Sequence, residues 1–318
     1  MNKSQVCLIV NPISGTESKK NIPEFVASAF DQKEIDLEIR ITGYAGHATE
    51  IAKEAVEKKY KSIIAAGGDG TVNEIARTLV DTETVLGILP LGSGNGLARD
   101  LGIPIDNEKA MDIILQENVR KIDYGVVNDH IFFCTCGFGF DAFVSDKFSY
   151  ESRRGPLGYV RNVIESVVDF KAEEYIITYD GGELKEKAFI LTCANASQYG
   201  NEAHIAPGAS LDDGKMNVSI LKPLNALEIP QTTIQLFTKN IDKNSKMTTL
   251  MTEKLHVKRE KSGVIHVDGD PVETGKEIDV HIVHSGLRVY AQNEDNHPHH
   301  RNKIELEGIF GALTRWFN

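Results

Sequence analysis

Apolar and polar positions run along this chain in two regimes. Up to about residue 125, short apolar runs of strand character alternate with segments of helical period. Val6 to Val10, Leu37 to Ile41, Ser62 to Ala66 and Val85 to Pro90 read as strands, the first apolar throughout with β-branched Val6, Ile9 and Val10. Between them the spacing predicts helices over Pro23 to Phe30, His47 to Lys59, Val72 to Val80, Leu97 to Leu101 and Asn107 to Gln116. The His47 helix would turn Ile51, Ala55 and Val56 inward, and the Val72 helix would bury Val72, Ile75, Ala76 and Leu79 on one face. Strands alternating with helices in this way specify a doubly wound α/β fold on a parallel sheet, with ligands at the carboxyl ends of the strands.

Past residue 125 strands dominate: Val126 to Asn128, Ile131 to Gly137, Tyr175 to Tyr179, Lys187 to Ala194, Met216 to Leu221, Lys254 to Arg259, Gly263 to Val267, Glu277 to Val283 and Leu287 to Ala291. Tyr179-Asp180-Gly181-Gly182-Glu183 carries a hairpin signal. Two helices, near Gly158 to Phe170 and Leu224 to Lys239, interrupt an otherwise antiparallel β-rich second domain. By this pattern the chain changes domain near residue 126, and the β-rich part runs to about residue 291. Ile304 to Phe317 returns to a helical period, with Leu306, Ile309, Phe310, Leu313 and Phe317 in one stripe. That stripe must be covered by a domain, a partner subunit (a homodimer is one such arrangement) or, through Trp316 and Phe317, a membrane interface.

The loops at the predicted strand ends hold the chemistry. Gly67-Gly68-Asp69-Gly70-Thr71 joins a buried strand to a helix, and three glycines are more than an ordinary turn requires. Free N–H groups and the positive end of the helix dipole would meet there, which suits phosphate. No Gly-Lys-Ser/Thr follows, so the loop is not of the Walker type, and it lacks the dinucleotide glycine spacing. Leu91-Gly92-Ser93-Gly94-Asn95-Gly96 is a second glycine loop, and Asn11 to Thr16 and Thr42 also follow strands of the same sheet. On a parallel sheet these loops would converge. Asp69 can hold Mg²⁺ through water or cap a helix; Asp123 can join the same cation network or close a turn. Ser210-Leu211-Asp212-Asp213-Gly214-Lys215 reads equally as a solvated turn or as a hard-cation site completed by backbone carbonyls. In Val267-Asp268-Gly269-Asp270, a hairpin turn by its Asp-Gly pair, either Asp268 or Asp270 could serve as a base for a hydroxyl.

Composition narrows the partners. At 41% hydrophobic and 25% charged, the 318 residues suit a soluble globular protein with room for two cores. A net charge of −11 argues against nucleic acid, and no apolar run is long enough to span a bilayer. Strand character begins within a few residues of Met1, leaving no space for a signal peptide, so a cytoplasmic protein is expected. Cys7, Cys134, Cys136 and Cys193 lie in apolar runs without zinc spacing and read as buried free thiols. The His297, His299 and His300 patch reads as a polar linker, and Arg153-Arg154 as a basic turn that is solvated or meets lipid headgroups.

Taken together, Asn11-Pro12 with Ser14-Gly15, Gly67 to Thr71 with Asn73-Glu74, Pro90 to Asn95, Ala206-Pro207 with Asp212 to Gly214, and Val267 to Asp270 resemble the soluble diacylglycerol kinase and sphingosine kinase family, in its order and across nearly the whole chain. The glycine loop by itself is also similar to that of the NAD kinases. The resemblance implies an N-terminal nucleotide domain over residues 1–125 rejoined by the C-terminal segment 292–318, a β-sandwich over 126–291, ATP held between them, Mg²⁺, and phosphorylation of a lipid hydroxyl at a membrane surface. It would place ATP on Asn11, Pro12, Ser14, Gly15, Thr42, Gly67, Gly68, Asp69, Gly70, Thr71, Asn73 and Ser93. Asp69 and Asp123 would serve the Mg²⁺–water network, Asp213 with Ser210 and Lys215 a structural Mg²⁺, and Asp270 general base catalysis; Asp69, Ser93 and Asp270 would then line one cleft. Two positions depart from the family pattern. Asp270 replaces the usual glutamate and is one methylene shorter, and Gly96 replaces a carboxylate of the bacterial Gly-Thr-x-Asn-Asp loop. Gly-Ser-Gly-Asn is closer to the sphingosine-kinase-like form, so diacylglycerol and a sphingoid base both stand as acceptors. A kinase of a soluble acceptor such as NAD, and a nucleotide-binding protein without turnover, are the rival readings.

Overall fold

The structure, a computed structural model, describes residues 4–13, 21–31, 35–148, 170–225 and 227–292. Ser14, Gly15, Arg153, Arg154, nearly all of the helix expected at Gly158 to Phe170, the three-histidine patch and the Ile304 to Phe317 helix lie outside these residues. The described chain divides into two compact units: one runs through Ile122 and resumes at Ser285, and the other runs from Asp123 to His284.

The first unit is a parallel sheet wrapped by helices. Its elements are β1 (Ser4–Val10), α1 (Ile22–Phe30), β2 (Ile35–Ile41), α2 (His47–Glu57), β3 (Ser62–Gly67), α3 (Asp69–Leu79), β4 (Val85–Pro90), α4 (Gly96–Asp100), α5 (Asn107–Gln116) and the first part of β5 (Val119–Val127). β1 pairs in parallel with both β2 and β3, and β3 with β4, giving the order β2-β1-β3-β4. Every residue of β3 and β4 is buried, as expected for strands covered on both faces. Helix α3 buries Val72, Ile75, Ala76 and Leu79 at the i, i+3, i+4, i+7 positions that define a single stripe. In this order the chain reverses direction across the sheet between β1 and β3, and the loops leaving those two strands lie on the carboxyl edge, where α/β folds bind ligands.

The second unit is an antiparallel sandwich. It comprises β6 (His130–Phe132), β7 (Thr135–Gly139), α6 (Phe140–Phe148), β8 (Glu173–Tyr179), β9 (Gly182–Ala188), β10 (Ile190–Ala194), β11 (Met216–Leu221), α7 (Ile229–Phe237), β12 (Met247–Thr252), β13 (Lys254–Arg259), β14 (Gly263–Val267), β15 (Asp270–Thr274) and most of β16 (Glu277–Tyr290). One sheet has the order β12-β11-β10-β7-β14-β15, every pair antiparallel. The other carries β13 between β16 and β8, with β9 beyond β8. Phe138, Leu191, Val218, Ile220 and Ile265 of the first sheet share a core with Tyr175, Ile177, Leu255, Val257 and Ile278 of the second. Among the described residues no helix is long and apolar enough to cross a membrane.

Four expectations change. The run Ile131 to Gly137 is two strands, because the Asp268 carboxylate takes the N–H groups of Phe133, Cys134 and Thr135 from the ladder. Lys187 to Ala194 breaks at Phe189, whose N–H donates to Leu221. The two strands expected over Glu277 to Ala291 are one, β16, in which Ser285 takes a left-handed backbone at φ 57°. Strands β12 and β15 were not foreseen: β12, Met247–Thr252, has its apolar residues at Met247, Leu250 and Met251 without strand alternation, and β15, Asp270–Thr274, has one aliphatic residue, Val272. All four cysteines are free and buried, with Cys136 and Cys193 opposite each other on β7 and β10; burial raises the Cys136 thiol pKa, reinforced by its bond to Cys193.

Candidate active site

In the first unit the strand-end loops are tied to one another. Asn11, just past β1, donates its N–H to Ala66 at 3.0 Å and its side-chain amide to the Thr71 hydroxyl at 2.9 Å. The N–H of Thr42, just past β2, donates to Val10 at 2.9 Å, and that of Leu91, past β4, to Gly67 at 2.8 Å. Asp69 opens α3 directly after the N-cap Gly68. Its carboxylate does not cap its own helix. It accepts from the backbone N–H groups of Asn95 at 2.8 Å and Gly96 at 2.7 Å, binding the second glycine loop to the first.

The glycines divide by what surrounds them. A Cβ on Gly67 would lie 2.5 Å from Thr71, one on Gly92 2.6 Å from the Gly68 backbone, and one on Gly94 2.7 Å from the Asp69 carboxylate. Those three are required by loop-on-loop packing. A Cβ on Gly70 would meet nothing within 4 Å, although Gly70 sits in the first turn of α3 with its N–H in the orphan set of a helix start. Packing does not call for glycine there, and the space beside it is open. Asn95 holds the second loop with φ 52° and two bonds to Gly92, leaving Ser93 exposed at the tip. Asn11, Pro12, Thr42, Gly67, Gly68, Asp69, Gly70, Thr71, Asn73 and Ser93 thus stand on or beside one carboxyl edge, where the N–H groups and positive pole of α3 favour an anion.

In the second unit Asp123 is fully buried. Its N–H donates to Leu211 at 2.6 Å; its carboxylate accepts from the Gly214 N–H at 2.6 Å and pairs with the His284 Nδ1 at 2.8 Å. The acidic turn is therefore built around Asp123. Within it the Ser210 hydroxyl donates to Asp212 at 2.7 Å, and the Lys215 N–H to Asp213 at 3.0 Å. Gly214 has φ 73°, a conformation that glycine supplies without strain. Among the described residues no three His, Cys, Asp or Glu side chains gather around a metal-sized space. A cation here would rest on the exposed Asp213 carboxylate and the Ser210 and Lys215 carbonyls. That is an all-oxygen set of the kind Mg²⁺ takes with water.

The two carboxylates of the β14–β15 turn separate by role. Asp268 accepts from Phe133, Cys134 and Thr135 at 2.8, 2.8 and 3.0 Å, while Asp270 is exposed at the first position of β15. Asp268 is committed to the backbone of the neighbouring strand, and Asp270 is the exposed one of the two. Beneath the turn lies a group that the sequence reading passed over: Asp141 on α6, Thr192 on β10, Tyr199 and His266. An acid next to Phe138-Gly139-Phe140 and a histidine inside Val264-Ile265-His266-Val267 are polar residues in apolar company, and that was the available signal. Burial, then the Asp141 charge, raises the Tyr199 phenol well above its ordinary pKa.

Residues 5–127 match the Diacylglycerol kinase catalytic domain family, and residues 134–290 match the YegS C-terminal NAD kinase beta sandwich-like domain. The Diacylglycerol kinase of Bacillus subtilis (strain 168) is 34% identical over 226 residues, covering 70% of this chain and 75% of that protein. A diacylglycerol kinase crystal structure from Bacillus anthracis str. Sterne has a TM-score of 0.70 at 23% identity, over 91% of this chain and 97% of that one. An NAD kinase from Archaeoglobus fulgidus in complex with ATP has a TM-score of 0.53 at 12% identity, over 98% and 99% of the two chains. At those identities both structures speak for the fold: an NAD kinase-like parallel-sheet domain followed by an antiparallel β-sandwich.

Proposed function

This chain belongs to the diacylglycerol kinase family, and from that premise we propose that it transfers the γ-phosphoryl group of ATP to the hydroxyl of a lipid, either diacylglycerol or a sphingoid base. The observation that carries the reading is the joined loop system of the first unit. Asn11, Thr71 and Asp69 lock three strand-end loops together at the α3 N-terminus, while Gly70 keeps its surroundings open. The N–H groups of the Gly68 to Thr71 turn hold the ATP phosphates, with Asn11, Pro12, Thr42, Asn73 and Ser93 around them. Ser14 and Gly15 complete this set by their place in the motif.

Phosphoryl transfer asks a protein for positioning and charge neutralisation more than for covalent chemistry. Asp270 accepts the proton of the lipid hydroxyl as that oxygen bonds to the γ-phosphorus and the bond to the β-phosphate oxygen breaks, releasing ADP. Asp69 keeps the glycine loops in register and orients water toward the phosphates. Mg²⁺, when bound, neutralises phosphate charge. The Asp213 turn, with Ser210 and Lys215, would hold a second, structural ion, and Asp123 shapes that turn. The enzyme works in the cytoplasm and meets its acceptor at a membrane surface.

The test is label transfer from γ-labelled ATP and Mg²⁺ to vesicles carrying diacylglycerol, sphingosine or ceramide, with NAD as a soluble acceptor in parallel. Labelled lipid from at least one vesicle type is expected. Labelled NADP without labelled lipid would transfer the chain to the soluble-acceptor reading. ATP binding in calorimetry without turnover on any acceptor would make it a nucleotide-binding protein.

A further inference from the structure

We propose that His266 is a positioning residue that sets the orientation of Asp270, an inference that rests on the reading of Asp270 as the base. Asp268 (φ 52°) and Gly269 (φ 91°) form the two-residue loop between β14 and β15, with Val267 paired to Asp270. A hairpin loop with two left-handed residues and Asp-Gly at its centre closes without outside help. This one has two sets of outside anchors and a side-chain contact within the hairpin. The Asp268 carboxylate takes three N–H groups from the start of β7. The Ser145 hydroxyl of α6 donates to the Gly269 carbonyl. Within the hairpin the Gly269 N–H donates to the Nδ1 of His266, on β14 itself, at 3.4 Å, longer than most such bonds, and the ring that accepts it is fixed from outside the hairpin.

It is held from below. Because Nδ1 accepts, the ring proton sits on Nε2, which donates to the Asp141 Oδ2 at 3.2 Å. The same oxygen accepts from the Thr192 hydroxyl at 2.9 Å and the Tyr199 hydroxyl at 3.1 Å, and the Tyr199 ring meets the His266 ring edge-on. The His266 and Asp141 side chains are 4% and 9% exposed. The site is fitted to them: a Cβ on Gly137 would fall 2.1 Å from the Asp141 carboxylate and 2.4 Å from His266 Nε2. Burying a carboxylate and an imidazole costs stability that apolar side chains of similar volume would not. The hairpin does not need them to close. Their combined effect is to fix the imidazole and, through it, the backbone directly before Asp270. Asp141 selects the ring's tautomer, His266 orients Gly269, and Asp270 leaves the turn in one direction.

The experiment exchanges one end of the imidazole for the other. His266→Asn places an amide oxygen near the position of Nδ1 and gives up the Asp141 bond; His266→Gln reaches Asp141 and leaves the Gly269 N–H without its acceptor. Both are made in the full chain and followed by amide hydrogen exchange of the Asp268 to Asp270 tip and by steady-state lipid phosphorylation. His266→Gln is expected to speed tip exchange about tenfold and lower kcat about tenfold, with KM for ATP within twofold. His266→Asn is expected to recover most of both. Equal behaviour of the two variants, or unchanged tip exchange in folded His266→Gln, would overturn the inference. If neither folds, Tyr199→Phe should raise tip exchange by a smaller factor, and no change there would also overturn it. Asp270→Asn keeps the two readings apart. Its transferring at the wild-type rate would remove the base assignment and this inference with it. An inactive Asp270→Asn beside a fully active His266→Gln would remove the inference alone.

Discussion

Three backbone N–H groups on one carboxylate are a large commitment for a single side chain, and Asp268 makes it across more than 130 positions of sequence. Asp268→Ala would strand the N–H groups of Phe133, Cys134 and Thr135 where β6 gives way to β7. Hydrogen bonds to charged groups contribute about 1.5–3 kcal/mol each, and water can rescue some of these, so a loss of about 2–4 kcal/mol in urea denaturation is expected. A change under about 1 kcal/mol would mean that the carboxylate is dispensable. Gly137→Ala tests the floor of the Asp141–His266 pair in the same way: its methyl cannot be accommodated without moving one of them, and a fall of at least about 2 kcal/mol is expected. At this scale the sequence was legible in part. Spacing singled out Asp268 and Asp270 together, and only the family resemblance divided them, because the partner amides of Asp268 lie on another strand. Asp123 was likewise read as a cation ligand or a turn residue, whereas the fold makes it the buried centre of the Asp213 turn.

Among elements, the parallel strands and their helices were the most legible, because a fully buried strand has a continuous apolar run and α3 has an uninterrupted stripe. Leu79→Ala on that stripe should cost about 2–5 kcal/mol, read from the denaturation midpoint at unchanged m-value. The sandwich was harder. β12 lacks a regular alternation, β15 has one aliphatic residue, and the breaks at Phe133 and Phe189 come from partners remote in sequence. β13 and β16 add a pH dependence. The Asp279 carboxylate, then that of Glu277, raises the His256 pKa above its ordinary value near 6.5. A group whose folded pKa is raised contributes its stability below the unfolded pKa and loses it as pH climbs through the folded one. Melting temperature should therefore decline as pH rises above about 6.5, and the slope should flatten in Asp279→Asn. His256 is 38% exposed, so the change is small and weakens with salt. An Asp279→Asn slope identical to wild type would contradict this account.

For the whole molecule, the net charge of −11 sets a problem, because the chain must hold a nucleotide tail of like sign. Backbone N–H groups at α3 supply part of the compensation; under the proposed function Mg²⁺ supplies the rest, so chelation should abolish transfer and Mg²⁺ restore it. Full activity in excess chelator would refute the metal requirement. Asp69→Ala should weaken ATP binding and reduce transfer at least tenfold, since it unlocks the second glycine loop as well as removing a charge. The family order of the motifs was legible in the sequence; the hydrogen bonds that join the loops were not, since they link residues as far apart as Asn11 and Thr71.

The central claim is that one exposed carboxylate, Asp270, takes the acceptor proton while the glycine loops hold ATP. Asp270→Asn, measured for ATP affinity by calorimetry and for label transfer to lipid vesicles, puts both halves to the test together. The account predicts ATP affinity within about twofold of wild type and transfer reduced at least a hundredfold, the scale on which a general base acts. Transfer within threefold of wild type in a folded Asp270→Asn protein would contradict it.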